Sequence, residues 1–226
     1  MSAAMATRTR IKVCGLTRPD DVDGTVAAGV DAIGLVFYPP SRRLLTLDRA
    51  RLLRRRVPAF VSVAALFVNA PVDEIHAVLE HVQPDLLQFH GEEPPAFCEQ
   101  FGTRYLKAFR VGAPGLDTPA RLAARCQDYP TAAGWLFDSY SPGFGGSGQC
   151  FDLSLLTDIP RIPGGPAFVL SGGLTADTVA AALQACRPFA VDVSSGVESE
   201  PGLKDLTRIR AFMQAVAQAD AARAVE

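Results

Sequence analysis

Cysteine is sparse and unpaired in this chain. Its five cysteines, Cys14, Cys98, Cys126, Cys150 and Cys186, are an odd number, scattered, with no Cys-x-x-Cys pair among them. That pattern fits neither a disulfide framework nor a zinc site, and a reducing cytoplasm is the expected compartment. Long apolar runs are missing too: none reaches the roughly 18 residues that a membrane span needs. Residues 1–10 hold Ala, Thr and Arg but no apolar centre, so they read as a tail rather than a secretory signal. Positive charge is not in excess either. A net charge of −2 argues against nucleic acid as the main partner, which would want a basic stripe. No linker or low-complexity stretch divides the chain, which predicts one domain over residues 11–219, with tails at 1–10 and 220–226.

What is present is a large apolar content. With 226 residues, 48% apolar and 20% charged, the chain can bury a sizeable core. Its length is high for an ordinary domain but normal for an α/β barrel, which runs to roughly 250 residues as one unit. β-rich apolar runs fall at 10–14, 32–37, 60–68, 85–89, 105–109, 135–138, 167–171 and 189–194. Helical patterns separate most of them, at 20–28, 47–56, 72–81, 95–101, 119–128 and 176–185, with another at 206–217 after the last strand. Only a short helix near 152–157 fits between the sixth and seventh strands. Strict β–α alternation predicts a parallel sheet covered by helices, and eight strands close best as a (β/α)8 TIM barrel. A doubly wound open sheet would place its Gly-rich turn after the first strand. Here the Gly-rich loops follow the last ones.

Those loops are the plainest functional signal. Phe168-Val169-Leu170 ends in Ser171-Gly172-Gly173-Leu174, and Ala190-Val191-Asp192-Val193 ends in Ser194-Ser195-Gly196. Glycine lets a backbone approach a phosphate closely enough for several N–H groups to point at it. A helix opening just afterwards would add the positive end of its dipole. Two such units in succession predict one phosphate held by neighbouring loops, and therefore a phosphorylated small molecule as ligand.

In a barrel the ligand sits at the C-terminal ends of the strands. Side chains two apart share a strand face. Lys12 and Cys14 are thus expected to point into the barrel while Ile11 and Val13 meet the helices. The same parity turns Leu136 and Asp138 inward, with Gln88 and His90, and with Asp192 and Ser194. A lone strand cysteine is usually a small buried hydrophobe, but Cys14 stands at the mouth beside Gly15, where catalysis is the better reading. Asp138 either caps the following loop or works as an acid or base; position alone leaves both open. His90 reads as a packed, hydrogen-bonded mouth residue. Prolines stiffen Tyr38-Pro39-Pro40-Ser41-Arg42-Arg43, which could hold an arginine fork over the mouth; otherwise the two arginines are solvated surface charges. Gly143-Phe144-Gly145-Gly146-Ser147-Gly148 reads as a mobile loop, either a lid or a further phosphate contact.

Taken in order, six blocks are specific. They are Ile11-Lys12-Val13-Cys14-Gly15-Leu16-Thr17, Phe37 to Arg43, Gln88-Phe89-His90-Gly91-Glu92-Glu93, Phe137-Asp138-Ser139 with Gly145-Gly146-Ser147-Gly148, Ser171-Gly172-Gly173-Leu174, and Asp192 to Glu198 continuing through Pro201-Gly202-Leu203-Lys204-Asp205. This succession closely resembles the phosphoribosylanthranilate isomerases of tryptophan biosynthesis, from about Ile11 to about Phe212. The resemblance implies an Amadori rearrangement of N-(5-phosphoribosyl)anthranilate. Asp138 would be the general acid on the furanose ring oxygen and Cys14 the base at C2′. Arg43 would hold the anthranilate carboxylate. The phosphate would lie against Gly172, Gly173, Ser194, Ser195 and Gly196, with Gly145 and Gly146 nearby. His90 would line the substrate site, and Asp192 would orient the amine. No cofactor and no metal are implied, and the chain would act as a monomer or homodimer. Two departures stand out: Phe89 replaces the usual Leu of its block, and Leu203 replaces a common Lys or Arg.

Chemistry adds two requirements. A thiol near ~8.5 must be moved toward thiolate to act as a base, and Lys12 on the same face is expected to help. A carboxyl near ~3.9 must be raised if Asp138 is to carry a proton. Two other readings stay open: another sugar-phosphate barrel enzyme, which would use a Lys or an Asp pair where this chain has Cys14 and Asp138, and a non-catalytic phosphate-ligand module on the same fold.

Overall fold

A computed structural model of the chain describes residues 8–140 and 151–223. Eight parallel strands close on themselves: β1 Arg10–Cys14, β2 Ala32–Val36, β3 Ser62–Phe67, β4 Leu86–Phe89, β5 Tyr105–Val111, β6 Gly134–Ser139, β7 Ala167–Leu170 and β8 Ala190–Val193. Six helices lie among them: α1 Pro19–Ala27, α2 Leu47–Arg54, α3 Val72–His81, α4 Pro95–Glu99, α5 Pro119–Gln127 and α6 Val179–Cys186. Among the described residues between β6 and β7 there is a 3₁₀ turn, Leu153–Leu156, and α7 Leu206–Arg223 follows β8. The expected (β/α)8 TIM barrel is the observed one. Among the described residues no helix is long and apolar enough to cross a membrane.

The alternation of the strands explains the layering. Ile11, Val13, Ile33, Leu35, Phe89, Phe137, Leu170 and Val191 point outward into one continuous core shared with the helices. Inside the barrel, Ala108, Leu136, Val169 and Ala190 form a small apolar plug below the mouth. Such a plug makes the barrel a packed core whose open end is the C-terminal one. At the opposite end, Asp31 accepts the Ile11 amide at 2.8 Å and Asp85 accepts the Val63 amide at 2.7 Å, fixing the starts of β1 and β3.

Helix starts follow their sequence signals. Proline occupies the first turn of α1, α4 and α5. Thr46 accepts from the Arg49 amide at 3.3 Å, and Thr118 from the Arg121 amide at 3.4 Å. Several expected boundaries move for local reasons. The third strand begins at Ser62 rather than at residue 60, because Phe60 sits fully exposed with φ 70°. The helix expected over 176–185 starts at Val179, after Thr178 bonds back to the Thr175 amide at 2.9 Å. The last strand is followed by a hairpin that the sequence reading did not anticipate, β9 Glu198–Glu200 against β10 Leu203–Lys204. Gly202 at φ 88° turns its corner.

The expected tails also shorten. Thr9 is buried, and its amide and hydroxyl donate to the two carboxylate oxygens of Asp220 at 2.6 and 2.8 Å. Arg223 donates to the Thr9 hydroxyl at 2.9 Å and also pairs with Asp220. Helix α7 therefore passes the boundary drawn at 219 and ties the two chain ends together. Asp220→Ala strands these donors and is expected to cost about 1–2 kcal/mol, which for a chain of this size lowers Tm by about 2–8 °C in a thermal melt.

Candidate active site

The strand ends converge on one pocket lined by Cys14, Tyr38, Arg43, Gln88, His90, Asp138, Gly172, Gly173, Asp192, Ser194, Ser195 and Gly196 among others. Every site residue named from the sequence that falls among the described residues lines it. Gly145 and Gly146, expected as a further phosphate contact, lie outside the described residues.

Cys14 ends β1 and is almost fully buried. Space for its thiol exists because β2 carries Gly34 directly across the ladder; a Cβ there would come within 2.6 Å of Sγ. Lys12 lies below it on the same face. Its register partner on β8 is Asp192, and Nζ reaches Oδ1 at 2.8 Å with both side chains 6% exposed. Burial works against the Lys12 charge, but Asp192 and Cys14 together outweigh it and raise its pKa. Cys14 goes the other way from the expectation. Burial pushes the thiol up, Asp192 adds to that, and the pull of Lys12 and Lys204 does not compensate. Lys12 does assist, but in the ligand-free site the thiol is the favoured form. Low dielectric penalises the thiolate, and much of the ammonium's influence is balanced by Asp192.

Across the mouth, Asp138 accepts the Ser139 amide at 2.9 Å through Oδ1, while Oδ2 lies 3.2 Å from His90 Nε2. His90 Nδ1 in turn lies 3.3 Å from Gln88 Nε2. The sequence placed these three residues on inward faces but did not join them. The Asp138–His90 contact brings two ionisable groups together in the pocket, an arrangement suited to acid–base work.

The two glycine loops touch. A Cβ at Gly196 would overlap the Leu174 carbonyl oxygen, so the backbone after β8 runs against the backbone after β7. Gly172, at φ 85°, leaves no room for a side chain beside Ser139, and Gly173 follows at φ 63°. Only glycine is comfortable at such angles. One correction concerns the dipole. After β8 there is no α-helix at the loop, only the 3₁₀ turn Ser195–Val197, and α7 begins beyond the hairpin. Any anion grip on that side comes from local N–H groups. Ser194 lines the pocket, but its hydroxyl donates to the Cys14 carbonyl at 3.0 Å, bracing β1 against β8.

Arg43 is neither solvated nor open on all sides. Its Nε and Nη2 donate to Glu198 at 2.7 and 2.6 Å, and its side chain is only 12% exposed. Its stem crosses Gly15, where a Cβ would overlap Cδ. The sequence reading missed Glu198 as a partner. The one available signal was its place in the block that runs from Asp192 to Glu198.

The family model for N-(5′-phosphoribosyl)anthranilate (PRA) isomerase matches residues 11–215. The chain belongs to the phosphoribosylanthranilate isomerase family. It is 59% identical to the N-(5′-phosphoribosyl)anthranilate isomerase of Bordetella pertussis, over 94% of this chain and 98% of that protein. Identity to the isomerase of Dechloromonas aromatica is 49%, with the same two coverages of 94% and 98%. Among solved structures, the phosphoribosylanthranilate isomerase of Thermotoga maritima superposes with a TM-score of 0.82 at 37% identity, covering 93% of this chain and 99% of that one. A second family structure, holding reduced 1-(o-carboxyphenylamino)-1-deoxyribulose 5-phosphate, superposes with a TM-score of 0.79 at 35% identity, with coverages of 93% and 99%.

In this family member, Lys12→Met removes the nearest cation from Cys14 and leaves Asp192 unpaired beside it. Both changes raise the thiol pKa. With Cys14 as the base that the sequence leads one to expect, the rise of kcat/KM with pH is expected to move to higher pH; an unshifted profile would show that Lys12 does not tune Cys14. Breaking the buried pair should also cost about 3–5 kcal/mol in denaturant unfolding.

Proposed function

We propose that the chain catalyses the Amadori rearrangement of N-(5-phosphoribosyl)anthranilate to 1-(2-carboxyphenylamino)-1-deoxyribulose 5-phosphate, in tryptophan biosynthesis. The observation that carries this reading is that Cys14 and Asp138 line one pocket together with the pair of touching glycine loops.

In this scheme the loops around Gly172–Gly173 and Ser195–Gly196 hold the phosphate, and Arg43 meets the anthranilate carboxylate. Asp138 donates a proton to the furanose ring oxygen. The C1′–oxygen bond breaks and the nitrogen lone pair closes a protonated Schiff base. Cys14 then removes the C2′ proton, the electrons move to neutralise the iminium nitrogen, and the resulting enolamine tautomerises to the ketone. Only protons move, so the chemistry balances without a cofactor or metal. The ligand-free Cys14 favours its thiol, but a cationic Schiff base arriving beside it favours the thiolate. The base is thus strengthened at the stage that needs it. His90 is suited to orient Asp138 and to return its proton, and Asp192 to face the substrate amine while holding Lys12.

The described cysteines are free thiols, in keeping with work in a reducing cytoplasm. A structure of the Thermotoga maritima relative describes that enzyme as dimeric. Monomer and homodimer are both compatible with a pocket built within one chain. A purely binding module would have no use for an Asp138–His90 contact aimed into the same pocket as a strand-end thiol.

The test is direct. Purified protein in neutral, reducing buffer is expected to consume freshly made phosphoribosylanthranilate and yield the deoxyribulose product by NMR. Unchanged substrate would overturn the proposal.

A further inference from the structure

Arg43 is the residue that the isomerase reading assigns to the substrate carboxylate, yet its guanidinium already carries a carboxylate. Glu198 takes the side-on edge, Nε and Nη2, at 2.7 and 2.6 Å. A planar guanidinium has a second usable edge, formed by Nη1 and the other Nη2 hydrogen. Side-on pairing leaves that end-on edge for another planar anion, and Arg43 lines the pocket.

Glu198 is itself held firmly. It is 5% exposed, and Lys204 Nζ reaches its Oε1 at 2.7 Å. Lys204 Nζ also donates to the Ser194 carbonyl at 3.1 Å, and Arg208 donates to the Glu198 carbonyl. The hairpin that carries Glu198 and Lys204 is pinned by Thr17, which donates to the Gly202 carbonyl at 2.7 Å. Burial alone would raise the Glu198 carboxyl, but Arg43 and Lys204 together hold it below its ordinary range, so it stays ionised.

Charge is the second part of the argument. Arg43 and Lys204 are two cations around one carboxylate, so the cluster keeps one positive charge. Without Lys204, Glu198 would neutralise Arg43 and remove its attraction for a substrate anion. With Lys204, the carboxylate can orient the arginine while the cluster still attracts an anion. The arginine stem passes over Gly15, where a side chain would collide with it, so backbone and carboxylate fix the fork from two sides.

We infer that Glu198, neutralised by Lys204, is a positioning residue that locks Arg43 side-on and turns its end-on edge to the carboxylate of the substrate's aromatic ring. The inference rests on the isomerase reading and adds to it the residue that sets the carboxylate preference.

The test compares phosphoribosylanthranilate with phosphoribosylaniline, which lacks the carboxylate, in wild type and in Glu198→Gln. The variant is expected to raise KM for phosphoribosylanthranilate about tenfold with kcat changed less than about threefold. The wild-type preference for the carboxylate-bearing substrate should fall by a similar factor of about ten. In an Arg43→Ala background, Glu198→Gln should add no further loss of that preference. If Glu198→Gln does not fold, Glu198→Asp, which draws the carboxylate back by one methylene, is expected to show the same selective loss at smaller size. Equal losses on both substrates, or no loss on either, would overturn the inference while leaving the isomerase intact. A wild-type chain that consumes neither substrate would overturn the isomerase reading itself.

Discussion

The site depends on the seam where the barrel closes. β8 pairs with β1 in a register that sets Lys12 beside Asp192, and the two form a buried ion pair at 2.8 Å. Neither charge would be tolerated alone at that depth, since each must be paired to offset its desolvation. The pair links strands at the two ends of the chain, residues 180 apart in sequence. It also lies directly below Cys14. Closure of the fold and the electrical surroundings of the proposed base are therefore one arrangement, and the Ser194 hydroxyl bound to the Cys14 carbonyl reinforces the same seam.

A second layer of constraint comes from absent side chains. Gly34 makes room for the Cys14 thiol, Gly15 for the Arg43 stem, and Gly196 for contact with the neighbouring loop. These positions build the pocket by what they leave out. Around them, the charged groups are each held by a partner within the barrel mouth: Lys12 by Asp192, Arg43 by Glu198, and Asp138 beside His90. A substrate meets groups already oriented, which lowers the cost of ordering them on binding.

Much of this was legible in the sequence because it follows from local rules. Recurring apolar, β-rich runs located the eight strands, and two-residue parity placed Cys14, Asp138, His90 and Asp192 in the mouth. Pro19 and Thr46 mark the starts of α1 and α2. What was not legible depends on distant register or on burial. The Arg43–Glu198 pair joins residues 155 apart, and only the hairpin after β8 brings them together. Lys12 was read as a helper of Cys14, but the burial that pushes the thiol up, and the Asp192 charge across the closure seam that adds to it, were not legible. The helix dipole expected after β8 failed because small residues there form a 3₁₀ turn and a hairpin instead. Propensity does not distinguish these outcomes over so short a stretch.

The central claim is that Cys14 and Asp138 divide acid–base work on a ligand gripped by the glycine loops. Its most direct test measures turnover and ligand binding together in Cys14→Ala and Asp138→Asn. Both variants should remain folded and bind reduced 1-(o-carboxyphenylamino)-1-deoxyribulose 5-phosphate about as tightly as the parent chain, while phosphoribosylanthranilate turnover falls by ~10²-fold or more. Turnover near the parent rate in either folded variant would contradict the account.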